Sequence, residues 1–509
     1  MLSRASGADG CGAVGTGATR WAISRPIRML AAGPGPDREG ASDGRAAGSR
    51  IDSRAMDAPS PSPARLPSLA ADAEEMCQRL LRIDTTNPPG NERPAAEYLA
   101  GRLREVGYEV TILEPAPTRA NLVARYRGDG RAAPLLLTAH LDVVEADASK
   151  WKQPPFAGVI ADGCLWGRGA IDMKNMAAMS VAIMRRLAIE KPKLARDVIF
   201  AGVADEEAGC DHGSRFLVDE HPELVRAEYA IGESGGFSLH LAGTTYYPVQ
   251  VAEKGLCWVR ARFTGEPGHG SMPRRDSAVL RMAEAVAALG RAQLPFHPSR
   301  YLQEFLATVA SRQPRLAQPL VRLATRPELL GRILRLMPDL SAARGIAALL
   351  SNTAAPTVVR AGNKTNVIPG VAEVEIDGRT LPGQTDEDFL RELRAVLGPE
   401  VELEVIRSAP PTVTEPAASP LYDLIAREIV RREPDAVVVP YMIPGFTDAK
   451  HFTRLGARWY GFSPVKLEKA SGIRFADMFH GHDERIPVAG LHWGVEVLDA
   501  VVRGFAASP

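Results

Sequence analysis

Three short apolar runs between Leu135 and Glu233 each end in side chains that bind metals or move protons. Leu135-Leu136-Leu137-Thr138-Ala139 leads into His140-Leu141-Asp142. Val198-Ile199-Phe200-Ala201-Gly202-Val203-Ala204 leads into Asp205-Glu206-Glu207, and Glu228-Tyr229-Ala230-Ile231-Gly232 leads into Glu233. Short continuous apolar runs read as strands buried on both faces, as in parallel sheets covered by helices. In open α/β sheets, ligands gather outside the carboxyl ends of the strands. The pattern predicts an α/β sheet with one histidine- and acid-lined site along a single edge.

A fourth group lies between these runs. Leu165-Trp166-Gly167-Arg168-Gly169 is a glycine turn, followed by Asp172-Met173-Lys174 at the start of a helix through Met176, Met179, Ile183 and Leu187. Taken singly, Asp172 reads as a helix-start carboxylate, His140 as a buried hydrogen-bonded histidine and Glu206-Glu207 as a solvated loop. Their convergence changes the reading, because carboxylates buried together without a cation are very costly. One or two divalent metals would neutralise them. Imidazole and carboxylate ligands without thiolate suit Zn²⁺ and its neighbours Mn²⁺ and Co²⁺. The Gly-x-Gly at 167–169 is too short for a dinucleotide fingerprint.

Composition removes other classes. With 509 residues, 45% hydrophobic and 24% charged, the chain is that of an ordinary globular protein of about three domains, or two large ones. Lys+Arg and Asp+Glu are both 61, so no global field argues for nucleic acid or an anionic membrane, which leaves a local patch open. No apolar run reaches the ~18 residues of a membrane span. Five scattered cysteines without a C-x-x-C pair fit a reducing, cytoplasmic setting. Residues 1–66 are rich in Gly, Ala, Pro, Ser and Arg and lack Lys. They read as a disordered extension, or as one preceding a true start at Met56.

Thr138-Ala139-His140-Leu141-Asp142, Gly167-Arg168-Gly169-Ala170-x-Asp172-Met173-Lys174 and Asp205-Glu206-Glu207-Ala208-Gly209 closely resemble metallopeptidase family twenty. This di-zinc group holds aminoacylase, glutamate carboxypeptidase, carboxypeptidase S, acetylornithine deacetylase and succinyl-diaminopimelate desuccinylase. The resemblance runs from about residue 70 to 505, with the motifs in the family's order. It implies that His140 and Glu233 bind one Zn²⁺, Glu207 and His480 the other, and that Asp172 bridges both. Asp142 would hold the imidazole of His140 in its ligating tautomer. Glu206 would be the general base, since a metal ligand cannot freely shuttle protons. His480 takes the last ligand position in Phe479-His480-Gly481-His482-Asp483-Glu484, with His482 as the alternative.

The resemblance also implies a mixed-sheet catalytic domain in two segments, 67–254 and 409–509, interrupted by an α+β, ferredoxin-like lid or dimerisation domain at 255–408. Cys257 to Phe263, Pro356 to Ala361, Val371 to Asp377 and Glu400 to Ile406 read as its strands. Ser277 to Leu289 and Thr385 to Leu397 read as its helices, the second with a capping-box spacing. Residues from about 298 to 352 read as an added helical insert, of a kind the carboxypeptidase S branch carries at a similar place. Its Leu306, Leu320, Leu329, Leu330, Ile333, Leu334 and Leu336 form a core or, alternatively, a partner surface. His269 in Gly268-His269-Gly270-Ser271 resembles the family's donor to the substrate carbonyl oxygen, and Asn366 and Arg379 match substrate-binding positions. Gly445 opens a loop that resembles the one near the substrate carboxylate, with Phe446 in place of the commoner second glycine.

The implied activity is hydrolysis of the amide bond of N-acyl amino acids or short peptides with a free carboxylate, by a possible homodimer. A carboxypeptidase or dipeptidase is the alternative within the class. A metal-dependent binding protein without turnover is the alternative outside it, and the intact Glu206 counts against that.

Overall fold

The three apolar runs become neighbouring strands of one large mixed sheet in a computed structural model of the chain. The structure describes residues 67–509 except 242, 316–317, 325, 335–344 and 415–418. The expectations for residues 1–66, disorder and a start at Met56, lie outside the described residues, as does Leu336. Strand Leu135–His140 lies between Val198–Val203 and Tyr229–Gly232 and runs parallel to both. Arg458–Gly461 extends the parallel set beyond Tyr229–Gly232. The first three are buried along their whole length, as strands covered on both faces should be. Because they share a direction, their carboxyl ends emerge on one edge of the sheet. Antiparallel strands Arg119–Tyr126 and Val110–Ala116 complete one side, and Thr244–Glu253, paired in parallel with Val437–Ile443, extends the other.

Helices Leu69–Leu81 and Arg93–Arg104 stand on either side of the Asn87-Pro88-Pro89-Gly90 run, whose prolines and glycine break the helical chain. Ser68 caps the first by accepting the Ala71 N–H at 3.2 Å. Met76, Leu80, Leu81, Leu99 and Leu103 are buried in the sheet's core, whereas Tyr98 is only half-buried at its margin. Helix Lys174–Glu190 buries Met176, Met179, Ile183 and Leu187 in the same core, beside helix Val488–Ala507. Among the described residues, no helix is long and apolar enough to cross a membrane.

A second, antiparallel sheet has the order Thr353–Ala361, Val371–Thr380, Gly255–Thr264, Glu402–Ala409. Helices Ala278–Arg291 and Asp386–Leu397 accompany it, and Val259, Val374, Ile376, Phe389 and Leu393 belong to its own core. Thr385 and Asp388 form the reciprocal capping box. The strand expected to stop at Asp377 continues to Thr380, so Arg379 lies inside it, opposite Leu256 and Thr353. Gly378 hides this continuation, since it interrupts the apolar alternation in sequence. A Cβ there would sit 2.2 Å from the Phe389 ring, so the glycine makes room for that ring and the register carries on.

Two adjacent crossings join the sheets. Thr244–Glu253 passes through Lys254 into Gly255–Thr264, and the chain returns from Glu402–Ala409 to Thr412–Val413. The crossings stay paired, Leu256 opposite Ala409 and Glu253 opposite Thr412. The helical insert, with Arg300–Ser311, Gln318–Ala324 and Pro327–Leu334, packs on the large sheet rather than on the inserted domain. Tyr301, Leu302 and Leu330 join the large core, with Leu306 packed against it, and Val309 packs with Tyr246, Val437 and Val439. Leu330 is thus a core residue and Leu306 packs at the core's margin, so neither forms a partner surface.

Candidate metal centre

The shared direction of the parallel strands delivers the site. His140 is the last residue of its strand, and Glu233 directly follows Gly232. Glu206 and Glu207 lie in the turn after Val203. That turn is held by buried polar contacts. The Asp142 carboxylate accepts the backbone N–H groups of Glu206 and Glu207 at 3.2 and 3.1 Å, and Asn87 Nδ2 at 2.8 Å. Asp205, in the left-handed region at φ 68°, is fixed by Arg119 Nη2 at 2.7 Å, Asn87 at 3.0 Å and the His212 N–H at 3.0 Å. Glu92 completes this group with two 2.8 Å contacts to the same guanidinium.

Asp172 arrives from the glycine turn. Gly169 has φ 91°, and a Cβ there would stand 2.9 Å from Val143, so glycine is required on both counts. Buried Glu484 accepts the N–H groups of Gly169, Ile171 and Asp172 at 2.9, 2.8 and 3.1 Å, and Arg168 Nη1 at 2.8 Å. Since Glu484 follows His480 by four residues, it ties that histidine's segment to the loop carrying Asp172.

Two triads result. His140, Asp172 and Glu233 offer one ligand atom each within 4.8 Å of one another, and Asp172, Glu207 and His480 do the same. His140 Nε2 lies 3.0 Å from Asp172 Oδ1 and 3.8 Å from Glu233 Oε2. His480 Nε2 lies 3.2 Å from both Asp172 Oδ2 and Glu207 Oε2. Asp172 is common to both, and exposed His482 is in neither. The Nδ1 of His140 faces the Asp142 carbonyl oxygen at 3.0 Å, which leaves Nε2 for the triad. The Asp142 carboxylate is farther, at 3.6 Å, because it is engaged by the Glu206–Glu207 turn.

The electrostatics ask for a cation. Burial, then the charge of Asp172, pushes Glu207 above the usual carboxylate range. Burial raises Glu233 and Glu206 as well, with Glu233 adding to the effect on Glu206. Buried oxygens Glu207 Oε1 and Glu233 Oε1 have no hydrogen-bond partner among the described residues. Orphaned carboxylate oxygens beside two imidazoles, with no thiolate, fit hard-to-borderline divalent metals.

The remaining expected site residues lie on the inserted domain and the returning segment. His269, in strand Gly268–His269, pairs with Val367–Ile368, and its Nδ1 contacts Ser271 Oγ at 2.7 Å. The Gly270 N–H donates to the Asn366 carbonyl at 2.9 Å, so His269 and Asn366 are neighbours beside an exposed two-stranded pairing of segments distant in sequence. Among the described residues, no hydrogen bond or ion pair links either of them to the two triads. Arg379 directs Nε and Nη2 at Asp377, at 2.8 and 3.1 Å, and its buried Nη1 has no hydrogen-bond partner among the described residues. Its guanidinium stands 4.8 Å from the Phe446 ring, which brings it to the loop that Gly445 opens.

Asn87, Glu92, Arg119, Asp205 and Glu484 escaped sequence reasoning as supports. A signal existed only for Glu484, a carboxylate within the His480 motif that complements Arg168 in the glycine turn.

A sheet edge that gathers two triads around one shared carboxylate, beside a free carboxylate, defines a metal-dependent hydrolase. The sequence profile of peptidase family M20/M25/M40 matches residues 136–504, and the chain belongs to that family. It is 30% identical over 386 residues to a probable carboxypeptidase S-like 2 of Dictyostelium discoideum, covering 72% of this chain and 71% of the relative. It is likewise 30% identical over 378 residues to the N-fatty-acyl-amino acid synthase/hydrolase PM20D1 of Xenopus tropicalis, covering 70% of each. A solved M20 family metallo-carboxypeptidase from Sulfolobus solfataricus shares the fold, with a TM-score of 0.63 at 16% identity over 85% of this chain and 98% of that one.

Proposed function

We propose that the chain hydrolyses the amide bond of N-acyl amino acids with two Zn²⁺ ions, for which Co²⁺ or Mn²⁺ can substitute. His140 and Glu233 would hold one ion and Glu207 and His480 the other, with Asp172 shared. When bound, such ions polarise a carbonyl and lower the pKa of water. The observation that carries the reading is Glu206. It is 7% exposed, adjoins ligand Glu207, and its carboxylate has no hydrogen-bond partner among the described residues. A carboxylate left free at that place can take the proton of the attacking water and give it to the leaving amine. Burial displaces its pKa upward, the direction a proton shuttle at neutral pH requires.

His269 would donate to the developing oxyanion when the inserted domain closes over the substrate. Arg379, with a buried Nη1 donor to spare, would read the free carboxylate together with Asn366 and the Gly445 loop. The four described cysteines, Cys77, Cys164, Cys210 and Cys257, are free and buried, which supports a cytoplasmic setting. The exposed Val359, on edge strand Thr353–Ala361, supports a homodimer through the inserted domain.

A carboxypeptidase or dipeptidase reading uses the same groups, and the resemblance to the Dictyostelium relative favours keeping it second. The deciding test is a panel of N-acetyl and long-chain N-acyl amino acids, dipeptides, and their carboxyl-amidated analogues, with added Zn²⁺, Mn²⁺ or Co²⁺. Hydrolysis of the acyl amino acids, with amidated analogues poor, is expected. Preferential cleavage of dipeptides would install the second reading, and a metal-replete protein that cleaves none would overturn both.

A further inference from the structure

We propose that the helical insert docks on an anionic phospholipid surface through an arginine-lined groove. Between Arg312 and Arg332 the sequence carries five arginines and one acid, Glu328, in a chain whose charges otherwise balance at 61 and 61. Elsewhere arginines are largely matched, as Arg119 is by Glu92 and Asp205, Arg168 by Glu484, and Arg185 by Asp72. In the insert, Arg312, Arg315, Arg326 and Arg332 make no ion pair with a described residue, and all four are exposed. Pro319, Arg322 and Leu323 share one face of Gln318–Ala324, and Arg315 and Arg326 stand at its two ends. With Gln318 they line an open groove of about 460 Å³, with no carboxylate among its described lining residues.

Four exposed cations without a described partner, Arg312, Arg315, Arg326 and Arg332, give this stretch a local positive field, which an anionic counterpart would neutralise. Two features favour a lipid surface over nucleic acid. Leu323, 46% exposed, sits among the cations, the mixture by which an interfacial helix lies in a headgroup layer. No aromatic residue occurs between Arg312 and Arg332 to stack on a base. The rest of the insert is fastened down, with Tyr301, Leu302 and Leu330 in the large core, so the groove is presented on an anchored support. The proposal does not depend on which amide is cleaved.

The test is co-sedimentation of the full chain with phosphatidylglycerol/phosphatidylcholine vesicles, with pure phosphatidylcholine vesicles, and in competition with a single-stranded oligonucleotide. Binding to the anionic vesicles only is expected, lost at about 1 M salt, where charge is screened within ~3 Å. The variant Arg315→Glu/Arg322→Glu/Arg326→Glu should bind at least tenfold less, while hydrolysing a short-chain soluble substrate as the wild type does. Should that variant precipitate, Arg315→Gln/Arg326→Gln removes two charges and adds none, and severalfold weaker binding is expected of it. No binding to anionic vesicles, equal binding to neutral ones, undiminished binding by a folded variant, or displacement by the oligonucleotide at equal charge would each overturn the proposal.

Discussion

Glu206 and Glu207 are chemically identical neighbours, separated only by what surrounds them. Glu207 meets His480, whereas Glu206 meets no donor among the described residues. Glu206→Gln should therefore keep its metal, measured by elemental analysis, while turnover falls about 10²–10⁴-fold. Loss of metal along with activity would mean that the two roles are exchanged. Asp172→Ala should lose both, because each triad loses a member; a fully active, metal-replete variant would sink the two-metal reading. His140, Asp172, Glu206, Glu207 and Glu233 were legible because each ends an apolar run or starts a helix. Asn87, Arg119 and Glu484 were not. Their roles exist only through partners 55 to 316 residues away, and no local spacing reports such a contact.

At the scale of elements, most boundaries followed from apolar periodicity and capping. The exceptions have local causes, as where Gly378 concealed the last turn of a strand. The insert was read as helical, but its support was invisible, since which sheet it covers depends on the fold. Its neck meets the crossing at Lys254, which is 1% exposed and donates to Ser351 O at 2.8 Å and Thr353 Oγ1 at 3.4 Å. Burial, and then the charge of Arg379, lowers its pKa from 10.5 to about 7 against the opposing pull of Asp377 and Glu392. A lysine depressed in the fold binds its proton more weakly there than when unfolded. Its charge therefore opposes folding fully below pH ~7, and that penalty fades as pH rises toward the unfolded value. Lys254→Met removes the titration. In urea unfolding, the wild type should gain stability relative to this variant between pH 7 and pH ~10. A gap that stays flat or moves the other way would show that the ammonium is not desolvated.

For the molecule as a whole, the carboxylates at the sheet edge couple metal to stability. Any ligand that binds only the folded chain adds RT ln(1 + [L]/Kd), about 4 kcal/mol at a thousandfold excess over Kd. Chelation should lower the unfolding midpoint, and restoring Zn²⁺, Mn²⁺ or Co²⁺ should raise it; an unchanged midpoint in protein shown to have lost its ions would contradict a folded-state site. Another whole-molecule property comes from the paired crossings at Glu253–Gly255 and Ala409–Thr412. Sliding one strand along the other would shift the ladder by a residue and turn every side chain to the opposite face, so shear is stiff. Flexing out of the plane keeps the ladder, so flexure is soft. The inserted domain is thus a leaf on a two-ply hinge that is also latched to the large unit, by the insert seated in the large core and by Arg407 donating to the Gly209 carbonyl at 2.9 Å, so a swing along the soft direction has to release those latches first.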